Sequence, residues 1–463
     1  MLCTALPSLP ASADDWIFKP FIGSSEQYTD NVFSSSSNEE SDFVTSLDLG
    51  FKFGGETKRS KLDLSYNFSQ DYYANNSQLD GYTQNLIGTG TVELIDNRFF
   101  IDGRVTFTEE TLGSAGSTSA GERTQSSGRT QVFNGSISPY LIQNFDGWVT
   151  GIARYGHTET QFFDADVGNA SSAPANQTSN EFQIKLTSGT RFTDIKWAWD
   201  NKLLSSESDA NDSFSHFAST GTSELPLSRM FSLIGTFGYD SFDVTGIDDS
   251  KISGLFGGAG VRFHPNNRTD ASVQVGRRFS DMVYDLNMSY APTSQDNITA
   301  SYVVSIQSAS SSLADTDILD AQGNLIQPNF SLTKYVDGVT KSKIFKLGWN
   351  GSRRRNSYGI SGNFIEREIL STGADEQVVA ISGNYGRRLT PRADLNISAG
   401  ISDVIDGQVA ADETTVYNFG SGYSYTFGNG LTGSANYNYL LRDNNTSGDI
   451  AENSFSISLR KNF

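Results

Sequence analysis

The sequence predicts an all-β fold: one closed antiparallel transmembrane β-barrel of about 22 strands. Three observations predict it. Apolar and polar residues alternate with a period of two almost from end to end, tight turns alternate with long polar loops, and the chain stops on an alternating strand that ends in Phe463.

A chain of 463 residues would ordinarily divide into several domains. Its texture is uniform from about residue 16 onward, so a single barrel domain over 14–463 is expected. No stretch approaches the roughly 20 consecutive apolar residues of a membrane helix. Aromatic residues reach 12%, with 31 Phe, 19 Tyr and only 10 Pro, a strand-forming balance. Residues 1–13 end in the small-x-small run Ala11-Ser12-Ala13 and read as the remnant of a truncated signal peptide. Cys3, the only cysteine, would leave with it, which suits passage through an oxidising periplasm. A formal net charge of -19 excludes nucleic acid as a partner. The acidity concentrates in apparent loops, at Asp164 and Asp166, Asp209 and Asp212, and Asp248-Asp249.

In chain order, the first strand is expected from Phe18. The next carries Phe43, Thr45, Leu47, Leu49, Phe51 and Phe53 on one face, against Asp42, Val44, Ser46, Asp48, Gly50 and Lys52. Leu62, Leu64, Tyr66 and Phe68 then alternate with Asp63, Ser65, Asn67 and Ser69. The alternation returns from Phe231 to Tyr239, from Ala393 to Ser402 and from Tyr417 to Phe427, and is weakest at 129–160 and around Ser280–Val283. Short connections fall at Ile95–Arg98, Pro226–Arg229, His264–Arg268, Pro292–Asp296, Leu389–Arg392 and Gly428–Gly430. Longer ones fall at 111–128, 161–179, 205–213, 243–252, 309–340 and 443–450. A soluble sandwich would not separate its connections this way; an outer-membrane barrel does, with tight periplasmic turns and long external loops. Both termini are therefore expected in the periplasm, which requires an even count: 22, or 18 or 20 if weak segments merge. Few residues precede Phe18, so any constriction is expected from an infolded loop, 309–340 or 111–128.

A bilayer admits strands only as a closed barrel, because every backbone N–H and C=O must find a partner within the protein. The aromatic-rich face then meets outer-membrane lipid and lipopolysaccharide, with Tyr66, Tyr82, Trp148, Trp197, Trp349, Tyr437 and Tyr439 as candidates for the interfacial girdles. In the final strand, Phe455, Ile457, Leu459 and Phe463 share one face. That end resembles the signal by which the barrel assembly machinery recognises its substrates. Lys461 departs from it and is expected to snorkel to the periplasmic boundary.

The opposite face is rich in hydroxyls and amides, among them Asn396, Asn418 and Asn436, which suit hydrated or sugar-like solutes. Scattered charges on it, Asp63, Asp102, Lys185, Asp200, Lys202, Arg262, Arg278, Asp285, Lys346 and Asp394, are expected to line the pore and set a transverse field. No enzymatic activity is expected: His157, His216 and His264 are the only histidines, and no nucleophile motif accompanies them. No cofactor is expected. The sequence has no His/Cys cluster at metal-ligand spacing, and Asp315–Asp320 fails the calcium-loop pattern.

The opening Pro20-Phe21-Ile22, with Tyr28-Thr29-Asp30-Asn31 and Ser41-Asp42-Phe43, is followed by recurring Pro-x-x-Arg-like turns. Together they resemble the outer-membrane barrel proteins associated with exosortase/PEP-CTERM and exopolysaccharide gene clusters. The resemblance implies a porin-like channel for exopolysaccharide secretion, with polysaccharide as cargo and a periplasmic polysaccharide-export protein as a partner. It transfers no catalytic residue. A general diffusion porin, a non-conducting docking barrel and a barrel enzyme with a rim site are the alternatives.

Overall fold

A computed structural model describes residues 16–111, 129–163, 175–209, 213–245, 252–308, 339–407, 413–444 and 448–463. The expected leader at 1–13, the acidic runs at 164–166 and 248–249, the stretch 315–320 and nearly all of loops 111–128 and 309–340 lie outside the described residues.

Twenty-two antiparallel strands form one sheet. The first eleven are β1 (Ile17–Thr29), β2 (Asp42–Glu56), β3 (Ser60–Tyr73), β4 (Gly81–Ile95), β5 (Phe99–Thr111), β6 (Arg129–Phe145), β7 (Val149–Phe163), β8 (Gln177–Ser188), β9 (Lys196–Ser208), β10 (Ser213–Pro226) and β11 (Phe231–Val244). The rest are β12 (Gly254–Asn266), β13 (Thr269–Arg278), β14 (Asp281–Tyr290), β15 (Asp296–Ser308), β16 (Val339–Arg353), β17 (Asn356–Ile369), β18 (Ala374–Thr390), β19 (Ala393–Asp406), β20 (Thr414–Gly428), β21 (Leu431–Asn444) and β22 (Ile450–Asn462). Each strand pairs with the next, and β1 pairs with β22 from Phe21↔Asn462 to Thr29↔Ser454, which closes the barrel. The weakly alternating segments are strands as well: 129–160 supplies β6 and β7, and the Ser280–Val283 region joins β13 to β14.

An even count brings both ends of the sheet to one rim, the rim that carries the short turns. Asp146-Gly147 and Asn429-Gly430 make such turns with both residues at positive φ, the geometry that matches strand twist in a two-residue hairpin. One connection breaks the expected asymmetry. At the long-loop rim β13 and β14 are joined by only Phe279 and Ser280, at φ +55° and +62°.

Faces follow the period-two pattern. Along β2, Phe43, Leu47 and Leu49 are exposed outward, while Asp42, Val44 and Ser46 are buried on the other side. Outward rings gather in two belts. Near the short turns, Trp148 meets Phe192 at 5.9 Å and Phe192 meets Trp197 at 5.7 Å. Toward the other rim, Tyr28 meets Phe43 at 5.0 Å and Phe68 stacks on Tyr82 at 5.8 Å. Phe455, Ile457, Leu459 and Phe463 are all exposed outward, and Lys461 lies over the Phe463 ring at 5.6 Å. Such belts flanking an apolar band are the signature of a barrel wall in a bilayer.

The clusters of buried apolar residues lie at the long-loop rim. Val32, Val44 and Tyr73 pack with Leu79 under the β1–β2 and β3–β4 connections. There the Asp42 carboxylate accepts hydrogen bonds from the backbone N–H groups of Asn75 and Asn76 and from Asn76 Nδ2, each at 3.0 Å. A second cluster joins Phe214, Phe242, Val244, Ile252, Phe279, Ile306 and Val339.

Candidate functional site: the inward wall

Cross-strand register places the predicted charged residues on the face opposite the apolar band. One row runs Arg262↔Ser272↔Asn287↔Ser301↔Lys346↔Asn363 across six strands. Others align Lys185 with Asp200, Lys202 with Ala218, Gln274 with Asp285, and Asp394 with Ser424. Asp63, Asn396 and Asn436 line a cavity of about 1180 Å³ inside the barrel.

Many of these charges are already answered by the wall. Arg154 Nη1 donates to Asp102 at 3.0 Å and stacks over Tyr140 at 4.1 Å, and Thr91 donates to the other Asp102 oxygen at 2.9 Å. Lys202 pairs with Glu181 at 2.6 Å, and Gln183 holds both Asp200 oxygens at 2.9 Å. Arg262 bridges Asp270 at 2.5 Å and Glu224 at 3.2 Å. Arg278 grips Asp240 through Nε at 2.7 Å and Nη2 at 2.9 Å, and its guanidinium covers the Phe256 ring at 4.4 Å. Asp63 and Asp394 have looser partners, Lys61 at 3.9 Å and Arg388 at 3.6 Å. Cross-strand neutralisation of this kind weakens any net transverse field, because opposite charges a few ångströms apart cancel at a distance. The sequence reading found one member of most pairs and missed Arg154, Glu181, Glu224, Asp240 and Asp270. Register supplies the missing signal: once two strands are aligned, opposite charges fall directly or diagonally across from each other.

From β17 to β21 the inward face has a different texture. Inward glycines stand directly across from inward asparagines: Gly359↔Asn384, Gly386↔Asn396, Gly400↔Asn418, Gly422↔Asn436 and Gly420↔Asn438. A Cβ at Gly359 would come within 2.5 Å of Asn384 Oδ1, and one at Gly422 within 2.6 Å of Asn436 Oδ1. At Gly359, Gly400 and Gly422 the facing asparagine Oδ1 fills the space a Cβ would take, so these carboxamides lie against the wall; at Gly386 and Gly420 a serine hydroxyl, from Ser357 or Ser398, lies nearer. Asn436 Nδ2 reaches Ser456 Oγ at 3.4 Å, and Ser434 and Ser458 hydroxyls meet at 2.7 Å. Charge returns toward the short-turn rim, where Lys19, Lys52 and Arg460 join the cavity and Arg460 lies 3.4 Å over the Phe21 ring.

The chain aligns over 96% of its length with the FrpB iron transporter (F5-1 variant) from Neisseria meningitidis, at TM-score 0.54 and 12% identity, covering 82% of that chain. It aligns similarly with the siderophore receptor PirA from Acinetobacter baumannii, at TM-score 0.51 and 9% identity over 96% of this chain and 80% of that one. The outer membrane transporter YddB from Escherichia coli gives TM-score 0.51 and 11% identity, over 96% and 81%. The fold is that of outer-membrane transporter barrels. No family profile matches the sequence, and no curated protein matches it.

The three histidines stand apart. His157 bonds Asn180 Oδ1 at 2.9 Å beside the exposed Tyr155, on the outward face. His216 faces inward, stacked on Phe242 at 4.1 Å and 3.1 Å from Asp240. His264 sits at the short-turn end of β12, 3.8 Å from Asp270. His216 thus belongs to an inward network, because β10 and β11 carry their alternation up to the rim.

Proposed function

We propose that the chain is an outer-membrane channel for a neutral hydrophilic polymer, exopolysaccharide being the cargo. In this reading the short-turn rim and both termini face the periplasm, and the barrel assembly machinery inserts the chain through its terminal aromatic strand. The observation that carries the reading is the asparagine-on-glycine wall. Amides offer donors and acceptors that exchange readily with sugar hydroxyls and hold no ion tightly. Packing them flat removes the side-chain protrusions on which a moving chain would catch. A periplasmic polysaccharide-export protein would deliver the cargo to the short-turn rim.

Purified barrel in a planar bilayer is expected to conduct, and neutral polysaccharide added on the short-turn side is expected to block the current reversibly. Gly422→Ala and Gly400→Ala, which lift Asn436 and Asn418 off the wall, should change the block several-fold while leaving the small-ion current nearly unaltered. Current without polysaccharide block would make the protein a general diffusion porin. No current at all would remove both channel readings and leave a docking barrel.

A further inference from the structure

The sheet is closed, yet one seam in it is short. β14 pairs with β15 over only five residue pairs, Leu286↔Tyr302 to Tyr290↔Ile298, next to the short-turn rim. Both strands continue beyond that point with their other neighbours. β14 pairs with β13 up to Arg278↔Asp281, and β15 pairs with β16 up to Ser308↔Val339. Where the ladder stops, a void of about 170 Å³ opens, lined by Val283, Tyr284 and Asp285 of β14, by Val303 and Val304 of β15, and by residues of β11–β13 that include Thr236, Phe256 and Gln274.

Beyond the seam, the ends of β15 and β16 lie inside the barrel. Ser301 and Lys346 belong to the inward row, so unbroken alternation directs Ile306, Val339 and Lys341 outward. All three are nevertheless buried. Ile306 and Val339 pack in one cluster with Phe214 and Phe242, which come from the inward faces of β10 and β11, and with Phe279 of the tight β13–β14 turn. Lys341 Nζ pairs with the Asp281 carboxylate of β14, and Ser308 Oγ reaches Gln177 Oε1 of β8 at 3.3 Å. An outward face can touch inward faces only if the segment carrying it has passed inside the wall. The constriction expected from a loop is thus begun by the wall's own strands.

On β15 the tucked segment nonetheless alternates as a lipid-facing strand does, while the outward positions of β16 at the same rim carry Lys341 and Lys343. Continuing the existing register would pair Asp285 with Val303, Tyr284 with Val304, Val283 with Ser305 and Met282 with Ile306. Tyr284, Met282, Val304 and Ile306 would then form an apolar outward patch, of which Met282 and Tyr284 are already exposed. Ser305 would face the lumen. Ladder formation would also extend the β14–β15 pairing, which among the described residues ends at Leu286↔Tyr302, along Met282–Asp285 and Val303–Ile306. The tucked position is held instead by the Phe214–Phe242–Phe279 cluster and the Lys341–Asp281 pair. Two packings of one segment, each satisfying a different part of it, make a two-position element.

We propose that Val303–Ser308 of β15 and Val339–Ile344 of β16 form a flap of the barrel wall, hinged on the unbroken ladder of β16 with β17: tucked, it narrows the lumen; zipped to β14, it completes the wall and clears it. Movement of the segment stands on the seam alone, whereas its effect on conduction rests on the channel reading above.

Cysteine pairs in a Cys3→Ser background separate the two positions. Asp281→Cys with Lys341→Cys should be joined in the tucked position by a bis-methanethiosulfonate reagent that spans the length of the Lys341 side chain. Met282→Cys with Ile306→Cys should cross-link only when zipped, because Ile306 is now buried inside while Met282 faces outward. In lipid vesicles the bifunctional reagent is expected to trap the tucked pair, and oxidation the zipped pair, each in part of the population. In planar bilayers the zipped cross-link should raise conductance at least twofold and the tucked one lower it, both reversed by reductant. Complete cross-linking of the tucked pair with none of the zipped pair, in folded barrel verified by heat-modifiable gel migration, would overturn the proposal. So would two trapped positions with identical conductance. Should either pair prevent folding, Asp281→Cys with Gln307→Cys tests the zipped register. Trapping of both positions in a barrel that never conducts would support the movement and remove the channel reading.

Discussion

Leu47→Arg tests which face of the wall meets lipid. Leu47 is exposed outward on β2 and lies four residues from Phe43 and four from Phe51, rings on the same face. At a rise of ~3.3 Å per residue and a strand tilt of ~40°, it sits ~10 Å from each ring along the membrane normal. Both distances fit within an apolar band ~25 Å tall, which puts Leu47 near its midplane. An arginine at that depth costs about 2–4 kcal/mol. The control is Asn67→Arg on β3, which lines the internal cavity and should change stability by less than ~0.5 kcal/mol. Reversible denaturant unfolding in phospholipid vesicles, followed by tryptophan fluorescence, measures both. Equal costs, or a neutral Leu47→Arg, would refute the assignment of faces on β2 and with it the reading of the period-two pattern as a membrane wall.

Two further outcomes follow from the inward network and the closing strand. Asp240→Asn leaves Arg278 and His216 without their shared carboxylate; because Arg278 is 30% exposed, the loss should be ~2 kcal/mol, short of the ~3–5 expected for a fully buried pair, in the same unfolding measurement. Phe463→Ala should lower the folded barrel recovered from outer-membrane fractions several-fold while barely changing spontaneous folding into detergent micelles, and an equal loss in both would assign Phe463 to stability instead of assembly.

The wall was legible because a strand in a bilayer has one apolar and one wet face, so Phe43, Leu47 and Leu49 announce themselves without knowledge of their neighbours. The count, 22 with 18 or 20 left open, was legible from alternating segments separated by short and long connections in turn, one of the short ones being Gly428–Gly430. Hidden from a linear reading was everything that depends on which strand lies beside which. Arg154 and Asp102 are far apart in sequence and meet only once β5, β6 and β7 are in register, and the glycine–asparagine pairs are invisible until β17 to β21 are aligned. The tucking of Ile306 was hidden for the opposite reason. Its local pattern fits the wall faithfully, and the contacts that hold it elsewhere come from Phe214 and Phe242, more than sixty residues away.

The β13–β14 hairpin, with strands of ten residues each, has a consequence for the host bilayer. At ~3.3 Å per residue and ~40° tilt it rises only ~25 Å, about the height of the apolar band, whereas the fourteen-residue strands β10 and β11 stand clear of it. The rim is therefore notched in this sector, and the Phe279–Ser280 turn sits at the depth of the lipid headgroups. Any thickening of the membrane would submerge the notch, so acyl-chain length becomes a variable acting on this sector and not on the taller remainder of the wall.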